Sequence, residues 1–153
     1  MLSGKKILIS GLLSNRSIAY GIAQVCSNLG AELAFTYQDE RFRERINALS
    51  ETLGAKFAVK CNVELDGDIN ELPTKLKDKG WLEIDGYVHA IAYAPREAIS
   101  GDLTDGLTKA NFTTAHVISS YSFGAVSKSL ADIFNEQSSI LTISYVGATR
   151  FVP

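Results

Sequence analysis

Gly11 and Ser17 stand six residues apart, between an apolar run and a segment with helical spacing, and residues of those types in that order suit phosphate binding. A glycine at a strand end lets the backbone bend sharply and approach a ligand. The free N–H groups of a following helix's first turn, with the helix dipole, favour an anion. Ser17 stands where it can cap a helix beginning at Ile18 and also donate its hydroxyl to a pyrophosphate oxygen. The run from Gly11 to Gly21 is not the common glycine fingerprint, because its two glycines lie ten positions apart. It equally fits an ordinary strand-to-helix turn in which Gly11 only bends the chain and Ser17 only caps.

Other reactive residue types form no constellation. Cys26 and Cys61 have no metal-ligand spacing, and two cysteines are too few for a disulfide scaffold, so both are expected as buried thiols in a reducing cytoplasm, with no metal site. His89 and His116 have no carboxylate or hydroxyl partner implied by the pattern and are expected to be structural, His89 mid-strand and His116 mid-helix. The net charge of −2, with signs interspersed, leaves no basic stripe for nucleic acid and no polybasic membrane anchor. The apolar run at 7–13 is short for a signal peptide, and Asn15 and Arg16 follow it where small residues should stand. No stretch approaches the ~20 apolar residues that span a bilayer.

The elements that must position Gly11 and Ser17 alternate along the chain. Strands are predicted at 5–10, 32–37, 56–61, 85–92 and 139–144, and helices at 18–29, 41–53, around Ile69, Leu72 and Leu76, and at 107–134. Five strands separated by helices imply right-handed crossovers, hence an α/β Rossmann-like doubly wound parallel sheet with helices on both faces. The 153 residues suit one dinucleotide-binding domain, without repeat or linker. In such a sheet the ligand lies beyond the carboxyl ends of the strands, where strand order reverses. Gly11 to Ile18, Gln38, Asn62 with Val63, Ala90 to Pro95, and Ser144 with Tyr145 should therefore line one crevice.

The segments Gly-x5-Ser-Ile-Ala-Tyr-Gly at 11–21, Ala-Glu-Leu-Ala-Phe-Thr-Tyr-Gln at 31–38, Val-His-Ala-Ile-Ala-Tyr-Ala-Pro at 88–95, Ser-Ser-Tyr-Ser-Phe at 119–123 and Ser-Tyr-Val-Gly-Ala at 144–148 occur in this order. Together they resemble the bacterial enoyl-acyl-carrier-protein reductases, in the divergent branch of the short-chain dehydrogenase/reductases. The resemblance implies NADH-dependent reduction of trans-2-enoyl-acyl-carrier-protein thioesters in fatty acid synthesis by a cytoplasmic homotetramer. It implies that Gly11, Ser17 and Ile18 hold the pyrophosphate and adenosine side of the cofactor, that Asn62 and Val63 embrace the adenine, and that Ile91 lies against the cofactor. Tyr93 and Ala94 begin the loop bordering the acyl substrate, and Tyr145 matches the first of two active-site tyrosines; spacing alone favours instead a strand-end aromatic packed on the loop that follows. The Ser119 to Ser122 cluster is expected to pack on a neighbouring helix or subunit.

Several positions qualify what the resemblance implies. Gln38 stands where an acidic residue would bind the ribose 2′-hydroxyl, which is compatible with NADH. Arg41 and Arg43 nearby either accommodate the 2′-phosphate of NADPH or form the solvated face of the second helix; NADH is the preferred reading. Asn62 replaces the usual Asp, and Ala92 a frequent Gly, adding a methyl beside the ribose. In the family a tyrosine followed after six residues by a lysine lies just beyond the segment matching Val152 and Pro153, and the chain stops before both. The expectation is a portion of a longer polypeptide, whose fifth strand keeps an unpaired edge and low solubility when alone. A non-catalytic dinucleotide-binding module, or an inactive fragment, is the alternative. A receiver-type domain ranks last, because the ends of the first and third strands hold Gly11 and Asn62 rather than a phosphoacceptor carboxylate.

Overall fold

Short runs that are apolar on both sides of the pleat build the centre of the molecule, as a sheet covered on both faces requires. The computed structural model describes residues 1–150, Leu103 by its backbone alone; Val152 and Pro153 lie outside the described residues. The strands are β1 (Lys6–Ser10), β2 (Glu32–Tyr37), β3 (Phe57–Lys60), β4 (Ile84–His89) and β5 (Phe134–Thr142). All pair in parallel in the order β3-β2-β1-β4-β5. The chain starts in the middle, winds outward to β3, then returns to the other side of β1. Strand order therefore reverses between β1 and β4.

Alternation along the strands sorts the core into two layers. Ile7, Ile9, Leu33, Phe35 and Val88 face one side, where α1 (Ile18–Asn28) contributes Ala19 and Ala23, and α2 (Arg43–Thr52) contributes Ile46. Leu8, Ala34, Val59 and Tyr87 face the other, against Ile69, Leu72 and Leu76 of α3 (Asp66–Asp78). The same layer takes Ile118, Val126 and Leu130 from the long helical segment before β5.

That segment departs from the single helix expected over 107–134. It comprises α4 (Leu103–Gly106), α5 (Lys109–His116), a π-turn at Val117–Tyr121 and α6 (Ser122–Ser129). His116 thus closes α5 rather than lying mid-helix, and its ring stacks on Phe112 at 4.4 Å. β4 ends at His89, earlier than expected, because its neighbour β1 ends at Ser10 and Gly11 turns away with φ +97°. One further bond, from Ala90 N–H to Ser10 O at 3.1 Å, closes the ladder. β5 begins five residues earlier than expected, through an irregular stretch opposite Ile84–Gly86. Asp85 anchors that stretch: its carboxylate accepts from Lys5 Nζ and Lys6 N–H, both at 2.8 Å, and from Asn135 Nδ2. Burial pulls this carboxyl's pKa upward, but those bonds outweigh it and hold the group below the usual carboxylate range.

Pro73 lies inside α3 and leaves the carbonyl of Ile69, four residues back, without its helical donor. Ser129 Oγ, at the end of α6, donates to that carbonyl at 2.6 Å and so joins the two helices. Beyond β5 the described residues form no further strand, and Ile140, Leu141 and Ile143 remain partly exposed. Among the described residues no helix is long and apolar enough to cross a membrane.

Candidate functional site

The turn after β1 sets the site. With φ +97°, Gly11 holds a conformation that side chains disfavour, and a Cβ there would lie 2.1 Å from Ala90 O. The turn therefore packs directly on the strand across the point of reversal. Ser17 caps α1, its Oγ accepting from Tyr20 N–H at 3.4 Å. The same hydroxyl donates to Ser14 O at 2.7 Å, so donation to a phosphate means exchanging that partner.

A cleft of about 520 Å³ opens over the carboxyl ends of β1 to β4. That volume lies within the range of small-molecule sites. Gly11, Gln38, Val63 and Ile91, four of the predicted site residues, line it together. Ala92 and Tyr93 border it, and Arg41 lines it rather than sitting only on a solvated face. Ser17, Ile18, Asn62, Ala94 and Tyr145 are not part of its wall. Ile18 is 63% exposed on α1, and Ala94 is half-buried in the loop after β4. Tyr145 is 70% exposed past the end of β5, its ring lying over Gly147, where a Cβ would come within 2.6 Å of Tyr145 Cε1. Asn62 sits between two lining residues with its side chain engaged locally. Its Oδ1 accepts from Glu64 N–H at 3.1 Å, while its backbone N–H donates to Asp68 Oδ2 at 2.8 Å.

Under the cleft, Thr36 Oγ1 donates to Ser10 Oγ at 2.8 Å in a buried pair. Cys61 lines the wall as a buried thiol whose pKa is pushed up to about 12, by burial first and by Asp68 second, with Lys75 opposing. At that value the inert thiol predominates. Among the described residues no group of three or more His, Cys, Asp or Glu could hold a metal.

His89, at the end of β4, is almost wholly buried. It does have hydroxyl partners, which its sequence context did not imply. Ser122 Oγ donates to Ile118 O at 2.6 Å, so the 2.7 Å bond between His89 Nε2 and Ser122 Oγ must take its proton from the ring. Nδ1 then faces Thr142 Oγ1 at 3.5 Å as the acceptor. Burial lowers the pKa of the ring, consistent with this neutral form.

The serine cluster, expected to pack on a neighbouring helix or subunit, divides between a strand and a loop of its own chain. Ser122 is buried on His89, whereas Ser119, within the π-turn, accepts from Tyr93 N–H and donates to Tyr93 O, both at 3.0 Å. Ser119 thus fixes the first loop peptide bordering the cleft. Thr114 and Ile118 of the helical segment, and Glu64 after β3, are cleft residues that sequence reasoning missed. The i, i+4 spacing of Thr114, Ile118 and Ser122 was the available signal for the helical pair.

This arrangement suits a nucleoside carried on a phosphate. Val63, Ile91 and Phe42 offer apolar walls for a flat base, Gln38 and Glu64 offer polar atoms for ribose hydroxyls, and the Gly11 turn leads to the amino end of α1.

The chain matches the family model described as enoyl-(acyl carrier protein) reductase over residues 11–153. It is 44% identical, over 153 residues, to the enoyl-acyl-carrier-protein reductase (NADH) FabI of Neisseria meningitidis serogroup B, covering 99% of this chain and 58% of that protein. It is 43% identical to the FabI of Escherichia coli K12, with the same coverage. Among solved structures, the enoyl-acyl-carrier-protein reductase (NADH) of Aquifex aeolicus superposes with a TM-score of 0.93 at 40% identity, covering 99% of this chain and 59% of that one. The reductase of Anaplasma phagocytophilum, crystallised in complex with NAD, gives 0.92 at 36% identity, covering 99% and 57%. The chain thus spans well under two thirds of the length of these relatives.

Proposed function

The chain belongs to the enoyl-(acyl carrier protein) reductase family, and from that premise we infer that it is the cofactor-binding portion of an NADH-dependent reductase of trans-2-enoyl-acyl-carrier-protein thioesters, acting in the cytoplasm in type II fatty acid synthesis. One observation carries the reading: Gly11, Gln38, Val63 and Ile91, from the ends of four different strands, converge on one cleft at the reversal of strand order.

The dihydronicotinamide supplies a hydride to the β-carbon of the enoyl thioester. The protein's part is binding and orientation. Gly11 brings the backbone close to the pyrophosphate, and Ser17 and Ile18 present the first turn of α1 to it. Val63 and Asn62 take the adenine, with Asn62 Oδ1 retaining one lone pair beside its bond to Glu64 N–H. Ile91 packs along the cofactor, and Ala94 borders the acyl chain. Tyr145 presents its hydroxyl at the thioester end of the substrate, a task for which its exposure leaves it free. The complete polypeptide, a homo-oligomer, supplies the later tyrosine, for the enolate oxygen, and the lysine, for the ribose. Each preorganised donor at such an oxygen lowers the barrier by about 3–4 kcal/mol.

The test uses the complete polypeptide. NADH binding is followed by nicotinamide fluorescence, and reduction by crotonyl-thioester-dependent loss of NADH absorbance. Binding with turnover is expected, and Tyr145→Phe should lower kcat/KM while leaving NADH affinity unchanged. Binding without turnover would replace this reading by the non-catalytic module. Absence of binding would overturn both.

A further inference from the structure

In doubly wound sheets of this kind the residue that reads the ribose 2′-hydroxyl is normally an acid at the end of the second strand. Here that place holds the neutral Gln38, and the acid comes from the strand beside it. β3 runs parallel to β2, with Tyr37 opposite Lys60, so the chain segments leaving the two strands emerge side by side. Glu64 follows β3, its backbone held by the bond from its N–H to Asn62 Oδ1. Its Oε2 accepts from Gln38 Nε2 at 3.1 Å, and both side chains line the cleft.

We propose that Glu64 sets the choice between NADH and NADPH, by orienting the Gln38 amide and by placing a carboxylate at the ribose end of the cleft. The inference rests on the cofactor reading above. An ionised carboxylate only accepts hydrogen bonds, so it holds the NH2 of Gln38 toward itself. Gln38 Oε1 is then the atom left to accept from a ribose hydroxyl, and it makes no hydrogen bond among the described residues. Electrostatics act in the same direction. Arg41, which lines the cleft, lies 3.8 Å from Asp39 and stacks over the Phe42 ring at 4.7 Å, while Arg43 lies 3.5 Å from Glu40. Arg41 and Glu64 are the charged side chains that line the cleft, and the Arg41 charge is already engaged by Asp39. A 2′-phosphate, adding nearly two negative charges of its own, meets the Glu64 carboxylate; a 2′-hydroxyl brings no charge to it.

Dissociation constants for NADH and NADPH, measured by nicotinamide fluorescence on the complete polypeptide and on Glu64→Gln, Glu64→Asp and Glu64→Lys, test this. Glu64 is exposed, so folding, checked by circular dichroism, should be unchanged. The ratio of the NADPH to the NADH constant should fall about tenfold in Glu64→Gln and further in Glu64→Lys, as expected for one and two units of charge in a solvated cleft. Glu64→Asp, which keeps the charge at a shorter reach, should retain most of the discrimination against NADPH. Raising the salt concentration should narrow the ratio more in the parent protein than in Glu64→Gln, since screening acts on the charge that the substitution removes. A parent protein that binds NADH with a ratio unmoved in all three variants, or one that prefers NADPH, would overturn the role of Glu64 while leaving the dinucleotide site intact. Failure of the parent to bind either nucleotide would overturn the cofactor reading and this inference with it.

Discussion

Gly11 is held by two independent constraints, a positive φ and a 2.1 Å approach to the Ala90 carbonyl that any Cβ would make. Gly11→Ala should therefore destabilise the protein by about 3 kcal/mol or more, read as a lower urea midpoint without any cofactor present. A loss confined to nucleotide affinity would mean that the glycine serves the ligand rather than the turn. His89 has a different liability. Burial holds its folded pKa below the unfolded value of about 6.5, so its neutral form fits the core and its protonated form favours the unfolded chain. Stability should be full above about pH 6.5 and should fall as the pH drops through that value toward the folded pKa. One proton limits the slope to ~1.4 kcal/mol per pH unit. Urea midpoints between about pH 7 and pH 5 should flatten in His89→Gln; an unchanged slope would assign the effect to another group.

At the scale of elements, the join between α3 and α6 makes a coupled prediction. Ser129→Ala leaves the buried Ile69 carbonyl without a donor and should cost about 1–3 kcal/mol. Pro73→Ala restores a backbone N–H four residues past Ile69, and in that background the same serine substitution should cost clearly less. Equal costs in both backgrounds would show that the hydroxyl does not substitute for the missing helical bond. The elements themselves were largely legible, because strands such as Ile7-Leu8-Ile9 and Leu33-Ala34-Phe35 are apolar on both faces and each precedes a helical stripe. What escaped had physical causes. Phe134 to Ser138 is mostly polar, and it joins the sheet because Asp85 and Asn135 fasten an irregular edge. The π-turn spans only five residues and so leaves no clear mark on the pattern, although Ser119 lies within it and bonds Tyr93. In the cleft, Gly11, Gln38, Val63 and Ile91 followed from strand ends and family pattern. Glu64 did not, since its meaning depends on a partner 26 residues away.

Across the whole molecule, Asp85 joins the start of β1, the start of β4 and the irregular entry to β5. Its folded pKa lies below the unfolded value, so its contribution is present above about pH 4 and is lost as the pH falls through the folded pKa. Acid unfolding should therefore proceed in two stages, first His89 and then Asp85, and Asp85→Asn should weaken the second stage without touching the first. A single unaltered limb in that variant would remove Asp85 from the account.

The strand order has a consequence in time as well as space. β1 leaves the ribosome before β2 and finds it soon after, yet its other neighbour is β4, and 80 residues separate Lys5 from Asp85. At ~5–20 residues per second, synthesis leaves that inner edge of β1 without its partner for about 4–16 s. Neither the cleft floor nor the glycine turn packed on Ala90 exists during that interval. Any ligand of that cleft can therefore act as a template for folding only after the fourth strand has been made, and until then the half-sheet of the first three strands has an open inner edge.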